Sequence, residues 1–144
     1  MESLTLIRPV LVKVKVTEGY KKAAAAELRE AVRRLDMELQ HLDFQEKRLV
    51  SELEKKNPQG IPAARQHLEQ ERRRRADSRQ KLLERLKEVG DLALGSEVVY
   101  GKMESPVEIK VGDDWRRVLG VEIVLKDGFV TEIRRHGGEE YGNG

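Results

Sequence analysis

The chain of 144 residues contains no cysteine, and this absence excludes several kinds of chemistry. Without a thiol there is no disulfide, no thiolate-bound metal and no cysteine nucleophile. The sequence also lacks a run of about 18 apolar residues. Its acidic start, Met1-Glu2-Ser3, lacks the basic and apolar regions of a signal peptide. We therefore expect a soluble, cytoplasmic protein with no membrane partner.

A marked excess of one charge is also missing. Charged residues make up 38% of the chain, yet 28 basic and 26 acidic residues leave a net charge of only +2. A nucleic-acid partner would therefore have to be recognised by a local cluster. Glycine-rich phosphate loops, nucleophile motifs and zinc motifs are absent, and His41, His67 and His136 lack ligand spacing. The sequence thus predicts no catalytic residue, cofactor, metal or small-molecule substrate, and hence no enzyme.

The most prominent feature of the chain is an apolar repeat between residues 25 and 93. In its first part, apolar residues recur at alternating spacings of four and three, which is typical of a coiled-coil seam. Two prolines and a glycine in residues 57–62 then end one helix and start another. The sequence predicts an antiparallel helical hairpin over residues 20–93 with its turn at 57–62. Its seam residues are Leu28, Val32, Leu35, Leu39, Leu42, Leu49 and Leu53, then Leu68, Leu82, Leu86 and Val89.

The position of the turn also predicts which seam residues face each other. A reversal centred near Gly60 places Leu42 against Arg79 and Glu46 against Arg75. The second pair would form a polar layer, and such layers fix the register of a coiled coil at a cost in stability.

Both ends of the chain read as β-structure, because apolar and polar residues alternate over 4–16 and 97–135. Pro9 predicts an edge, a bulge or a separate short strand. Three groups of turn-forming residues divide 97–135 into four short strands. They are Ser105-Pro106, Gly112-Asp113-Asp114 and Asp127-Gly128, and the last is the strongest hairpin signal.

A single N-terminal strand is not stable alone, so we expect it to join the later strands in one split domain. The predicted fold is α+β: a long coiled-coil hairpin inserted into a small antiparallel β-sheet or barrel of five strands. Tyr100, Trp115 and Phe129 are predicted core or rim aromatics. Residues 136–144 are predicted to be a flexible tail.

This order of elements resembles a known family. The segments Pro106–Trp115, with its Lys-Val-Gly-Asp turn, and Glu122–Arg134, with its Lys-Asp-Gly hairpin, are similar to the YlqD-like family of uncharacterised bacterial proteins. The resemblance extends over Leu4 to Arg135. It implies no activity and no catalytic residues. Related genes lie near ribosomal genes in some bacteria, so the resemblance also implies an association with the ribosome or RNA.

The strongest local charge feature is a run of arginines in the second helix. Four successive helical residues spread over about 300° of azimuth, so they form a collar around the helix. Guanidinium groups bind phosphate well. The alternative is a solvated coiled-coil surface, because acidic residues are interleaved with the basic ones. The candidate phosphate or RNA contacts are Arg72, Arg73, Arg74, Arg75 and Arg79.

Two apolar residues are candidates for a partner surface. Phe44 lies off the predicted seam, and Ile61 lies at the predicted tip, so both are expected to be exposed. The sequence therefore predicts a non-catalytic interaction protein that associates with the ribosome or RNA through its basic helical arm. The alternative is a homo-oligomeric, prefoldin-like chaperone or assembly scaffold.

Overall fold

The computed structural model describes residues 2–135, and the predicted tail at 136–144 lies outside the described residues. The elements are β1 (Ser3–Lys15), α1 (Glu18–Lys56), a 3-10 turn (Pro58–Gly60), α2 (Ile61–Asp91), β2 (Glu97–Lys110), α3 (Trp115–Leu119), β3 (Val121–Lys126) and β4 (Phe129–Arg135). The chain divides into two units. Residues 2–20 and 92–135 form the β unit, and residues 21–91 form the hairpin. The α+β prediction is confirmed.

The start of α1 is fixed by a side-chain cap. The hydroxyl of Thr17 accepts the N–H of Tyr20 at 3.0 Å, which satisfies a donor that has no partner within the helix. The same hydroxyl donates to the carboxylate of Asp127 at 2.7 Å, within the β unit. An alanine run from Ala23 to Ala26 then favours the helix.

The seam of the hairpin follows the predicted spacing closely. Leu42 and Leu68 are buried, and the other seam residues are half-buried, apart from Leu49 at the exposed limit. The α2 seam begins earlier than predicted: Ile61 and Ala64 precede Leu68 at spacings of three and four and are also half-buried. The expectation that Ile61 is exposed is therefore wrong.

The predicted register of the hairpin is wrong, and the contacts between the helices are shifted by three to six residues. The guanidinium of Arg79 reaches Asp36 at 2.6 Å, six residues before its predicted partner Leu42. Glu46 contacts Arg72 at 3.2 Å instead of Arg75. The cause is the turn. Pro62 is accommodated in the first turn of α2, where its missing N–H is not needed, so α2 starts at Ile61 and the reversal lies nearer Pro58.

The β unit is a four-stranded mixed sheet with the order β2-β1-β3-β4. The predicted five antiparallel strands are corrected in two ways. First, β2 runs unbroken through Ser105-Pro106, because β1 pairs with it along its whole length. Second, β1 and β3 are parallel, from Val10 opposite Val121 to Val14 opposite Leu125. Strand β3 follows β2 in the chain but lies on the other side of β1. The segment that joins β2 to β3 contains the short helix α3, which the sequence did not predict.

Two predicted local signals have different outcomes in this sheet. Pro9 stands just before Val10, where pairing with β3 begins, so β1 is an edge on that side up to Pro9 and tolerates the missing donor. The Asp127-Gly128 hairpin between β3 and β4 is confirmed. Both residues have positive φ, 49° and 86°, as a type I′ turn requires.

The predicted barrel is not closed, although the sheet is curled. Strands β2 and β4 are the two edges, yet the guanidinium of β4 Arg134 donates to both carboxylate oxygens of β2 Glu97 at 2.6 and 2.7 Å. Two side chains can span the intervening strands only if the sheet bends toward them. Arg134 also pairs with Glu132 at 2.9 Å. Side-chain pairing thus takes the place of the missing strand-to-strand closure.

The core of the β unit is built from small side chains. Val10, Val12, Val16, Val118, Val121 and Val124 are buried, and Val124 is fully so. The aromatics predicted for the core or rim are exposed, which excludes the core: Tyr100 at 74%, Trp115 at 55% and Phe129 at 75%.

The seam predicts that one leucine matters far more than a neighbouring aromatic. We expect Leu42→Ala to lower the stability of the hairpin by about 2 to 4 kcal/mol, because it removes a buried side chain. Phe44→Ala, two residues on, removes a larger but 63% exposed side chain and is expected to cost less than about 0.5 kcal/mol. Urea unfolding followed by far-UV circular dichroism measures both, and equal losses would refute the seam assignment.

The Arg134 pairing predicts a dependence of β-unit stability on pH. Hydrogen bonds from Arg134 lower the pKa of Glu97. A carboxylate with a lowered folded pKa contributes stability in full above its unfolded pKa, about 4.3, and loses it as the pH falls through the folded value. Glu97→Gln should therefore flatten the loss of stability between about pH 5 and pH 3.

Trp115 is the single tryptophan and lies in the β unit, so its fluorescence reports unfolding of that unit. Glu104→Gln on the same strand is the matched control, because Glu104 is exposed and forms no ion pair within residues 2–135. An equal flattening in both variants would show that Arg134 does not stabilise the Glu97 carboxylate.

Candidate functional site

The arginine collar of α2 lies against acidic residues of α1. Because α2 positions 72, 75 and 79 belong to the seam, their stems are half-buried and their guanidinium groups turn toward the partner helix. Arg72 contacts Asp43 at 3.0 Å and Glu46 at 3.2 Å. It also contacts Glu69, one turn earlier on α2, at 2.7 Å. One cation is thus shared by three carboxylates.

Arg75 and Arg79 are paired in the same way. The guanidinium of Arg75 bonds Glu71 at 2.7 Å and lies 3.5 Å from Glu38. Its hydrogen bond lowers the pKa of Glu71. Arg79 pairs with Asp36 at 2.6 Å. These contacts hold the guanidinium heads of the seam arginines against carboxylates of the hairpin.

The two remaining collar residues point to solvent. Arg74 contacts Glu71 at 3.2 Å while 74% of its side chain is exposed. Arg73 is exposed and makes no ion pair within the described part of the chain. Four arginines of the candidate site are therefore matched by six carboxylates: Asp36, Glu38, Asp43, Glu46, Glu69 and Glu71. The collar has no excess of positive charge, so its phosphate-binding capacity reduces to Arg73 and the outer part of Arg74.

The candidate partner surface at Phe44 contains a second apolar residue. Phe44 is 63% exposed, as expected, and Met37 is 55% exposed one heptad earlier on the same side of α1. Residues seven apart on a helix are about 10.5 Å apart along its axis. Ile61 is not part of this surface, because it lies at a seam position of α2. The sequence interpretation missed Met37, although its spacing from Phe44 was readable.

The sheet of the β unit has one charged face and one apolar face. Side chains alternate along a strand, and paired residues share a face. Eleven of the thirteen charged strand residues lie on the same face, where they include the Lys13–Glu122 pair at 2.9 Å. The exceptions are Arg8, whose guanidinium bonds Ser105 and the Val118 carbonyl, and Arg135.

The apolar face is only partly covered. Its central residues, Val10, Val12 and Val121, are buried. Toward the edges and the start of β1 it exposes Leu4, Met103, Val130 and Ile133, each at about 60%. Several exposed apolar residues on one face of a sheet mark an interaction site more often than a single exposed residue does.

Two features are absent from the described residues, 2–135. No group of three histidine or acidic side chains lies close enough together to hold a metal ion. No helix in this range is long and apolar enough to cross a membrane.

The sequence matches a known protein family. The family model of the YlqD protein matches residues 4–134, nearly the whole chain. The chain belongs to the YlqD family. The predicted resemblance is therefore confirmed. A relative described as "Uncharacterized protein YlqD", from Bacillus subtilis strain 168, is 31% identical over 133 residues, which cover 92% of this chain and 99% of that protein.

A solved structure shares the fold of this YlqD-family chain. It is the crystal structure of a protein of unknown function from Synechococcus sp. WH 8102, with a TM-score of 0.74 and 27% identity. The match covers 92% of this chain and 95% of the other. The first relative is described as uncharacterised and the second as a protein of unknown function, so neither assigns a function to this chain.

Proposed function

We propose that this protein is a non-catalytic interaction protein whose β unit assembles with further copies of itself. The observation that carries the proposal is the partly uncovered apolar face of the sheet, with Leu4, Met103, Val130 and Ile133 exposed. Covering apolar surface is favourable by about 25 cal/mol for each Å² removed from water. A second copy supplies the same face, as a two-fold symmetric interface requires.

The edges of the sheet offer a poorer route to assembly. The outer strand β2 carries charged residues at Lys102, Glu104 and Glu108 and has Pro106 between them. Charges and proline on an edge strand disfavour pairing with an incoming strand. At the opposite edge, β4 contains an irregularity opposite Val124 and Leu125. Assembly through the face therefore fits the sheet better than extension of its edges.

Light scattering at several protein concentrations tests this role with two matched isoleucines. Ile133 lies on the apolar face at 59% exposure, and Ile7 lies on the charged face at 63%. We expect wild type and Ile7→Ser to exceed the monomer mass, and Ile133→Ser to shift toward the monomer. A monomeric wild type at all concentrations would refute self-assembly, and equal effects of both substitutions would refute its placement on the apolar face.

A second candidate function is association with RNA or the ribosome. The observation that favours it is Arg73, which is exposed and unpaired within residues 2–135. A phosphate contact at Arg73 requires no ion pair of the hairpin to break, whereas one at Arg75 would compete with Glu71 and Glu38. This makes Arg73 the residue of the collar through which phosphate binding would act.

Co-sedimentation with ribosomal particles at low and moderate salt separates these two arginines. If the collar binds RNA, Arg73→Ala should weaken co-sedimentation and reduce its salt dependence, because each phosphate contact releases counterions. Arg75→Ala is the control, because it changes the net charge by the same amount as Arg73→Ala. No wild-type binding at low salt, or equal losses in both variants, would count against a contact at Arg73.

A further inference from the structure

The outer face of α1, opposite its seam, is basic in its middle part. Residues of α1 that are seven positions apart share a heptad position, so the seam fixes which residues point away from α2. Between residues 33 and 48 these outward positions carry four basic residues and no acidic one. The basic residues are Arg33, Arg34, Lys47 and Arg48; Lys55 follows them on the same face, which also carries Glu27, Glu30 and Glu54.

The excess arises from the way α1 distributes its charges. Its other acidic residues include Asp36, Glu38 and Asp43, which flank the seam and pair with arginines of α2. These carboxylates are therefore not available to neutralise the outer face. Acids on or beside the outer face act locally: Glu30 pairs with Arg33 at 2.6 Å, and Glu52 lies 3.5 Å from Arg48. Two lysines of the outer face, Lys47 and Lys55, make no ion pair within residues 2–135.

Two apolar side chains lie in the middle of this basic face. Met37 and Phe44 are exposed, and the residues between them on that face, Gln40 and His41, include no acidic side chain. Basic residues stand on both sides, with Arg33 and Arg34 before Met37 and Lys47 and Arg48 after Phe44. An apolar centre with a charged rim is the usual composition of a protein-binding patch, in which methionine and aromatic residues are enriched.

We infer that the outer face of α1 is a docking site for an acidic, amphipathic helix of a partner protein. Two apolar anchors about 10.5 Å apart match a helix that presents apolar residues seven positions apart, the usual spacing in helix-in-groove recognition. Acidic residues on the flanks of that helix meet the basic residues beyond Met37 and Phe44. This inference rests on the proposed role as an interaction protein and adds a second surface with a partner of stated chemistry.

Charge complementarity excludes the same face of a second copy as the occupant. An antiparallel, two-fold pairing that places Met37 on Phe44 brings Arg33 opposite Arg48 and Arg34 opposite Lys47. Like charges placed opposite each other disfavour the wrong partner. The outer side of α2 is no better, since its residues Gln66, Gln70, Arg73, Asp77 and Glu84 supply no apolar anchor.

Phosphate chemistry also fits this face less well than an acidic helix does. An exposed methionine offers no charge or hydrogen-bond donor to a phosphate backbone. A phenylalanine on a rigid helix stacks on nucleic-acid bases only if those bases are turned outward. The two apolar residues stand at the centre of the face, where hot-spot residues of protein interfaces cluster.

The test uses the full-length protein and designed, fluorescently labelled peptides in anisotropy titrations. The probe is a helical peptide of about 21 residues with leucines seven positions apart and glutamates around them. A matched peptide has lysine in place of every glutamate, and a single-stranded RNA oligonucleotide is the third probe. We expect the acidic peptide to bind and the basic peptide to bind at least about tenfold more weakly, with affinity falling as salt rises.

Variants then test the two parts of the surface. Phe44→Ser should weaken binding of the acidic peptide by about tenfold or more, because it removes a central anchor. Lys47→Glu should weaken it roughly threefold to tenfold, whereas Lys81→Glu, the same charge change on α2, should alter it less than about twofold. Circular dichroism confirms that each variant retains its helices.

Three results would overturn the inference. The first is that the acidic peptide fails to bind. The second is that both peptides bind equally. The third is that only RNA binds, and that RNA binding weakens in Lys47→Glu but not in Phe44→Ser. None of these results bears on the light-scattering experiment, whose variants lie in the β unit. Loss of peptide binding together with retained self-assembly would therefore reject the docking site and leave the proposed function standing. Retained peptide binding together with a monomeric wild type would reject self-assembly and leave the docking site standing.

Discussion

The pairing of α1 carboxylates with α2 arginines is the constraint on which most of the hairpin depends. Arg72 and Arg79 occupy positions where a coiled coil normally has apolar side chains, and they contact Asp43, Glu46 and Asp36 across the helix pair. Individual exposed ion pairs contribute only about 0 to 1 kcal/mol. Their larger effect here is to select the register of the two helices. An arginine in a seam is tolerated only in the register that places a carboxylate next to its guanidinium group.

The sequence predicted the hairpin better than its register for a physical reason. A seam with 4-3 spacing can pair with its partner in several registers, so periodicity alone does not choose among them. The turn had to decide, and Gly60 was taken as its centre although Pro62 is compatible with the first turn of a helix. Charge matching at Arg79 and Asp36 would have favoured the shorter register.

In the β unit, local signals succeeded where they act alone and failed where a neighbouring strand opposes them. Asp127-Gly128 forms the predicted hairpin because the two positive φ angles are a local requirement. Ser105-Pro106 resembles a turn just as strongly, but β1 provides a long template and holds β2 extended through it. The parallel pairing of β1 with β3 was not readable, since no local pattern specifies which strands become neighbours.

The same distinction explains the outcome for the candidate site. The arginine collar was read from the charges of α2 alone, while the carboxylates that neutralise it lie on α1, 29 residues away in the case of Asp43 and Arg72. The basic outer face of α1 was present in the sequence as a consequence of the seam, and it was missed because no run of adjacent basic residues draws attention to it. The charge on a helix has to be counted for each face separately, and the side chains that pair with the partner helix have to be left out of the count.

The two proposed surfaces depend on different forces, and salt separates them. The apolar face of the β unit is nearly free of charge, so its association draws on burial from water, which salt does not screen. The outer face of α1 relies on attraction between exposed charges, which is largely screened beyond about 8 Å at physiological ionic strength. Occupying either surface leaves the Arg134–Glu97 and Arg79–Asp36 pairs intact, since those pairs lie on other faces of their units. The ion pairs between helices and between strands thus lie away from the two proposed surfaces, and only pairs within α1, such as Glu30–Arg33, lie on the outer face itself.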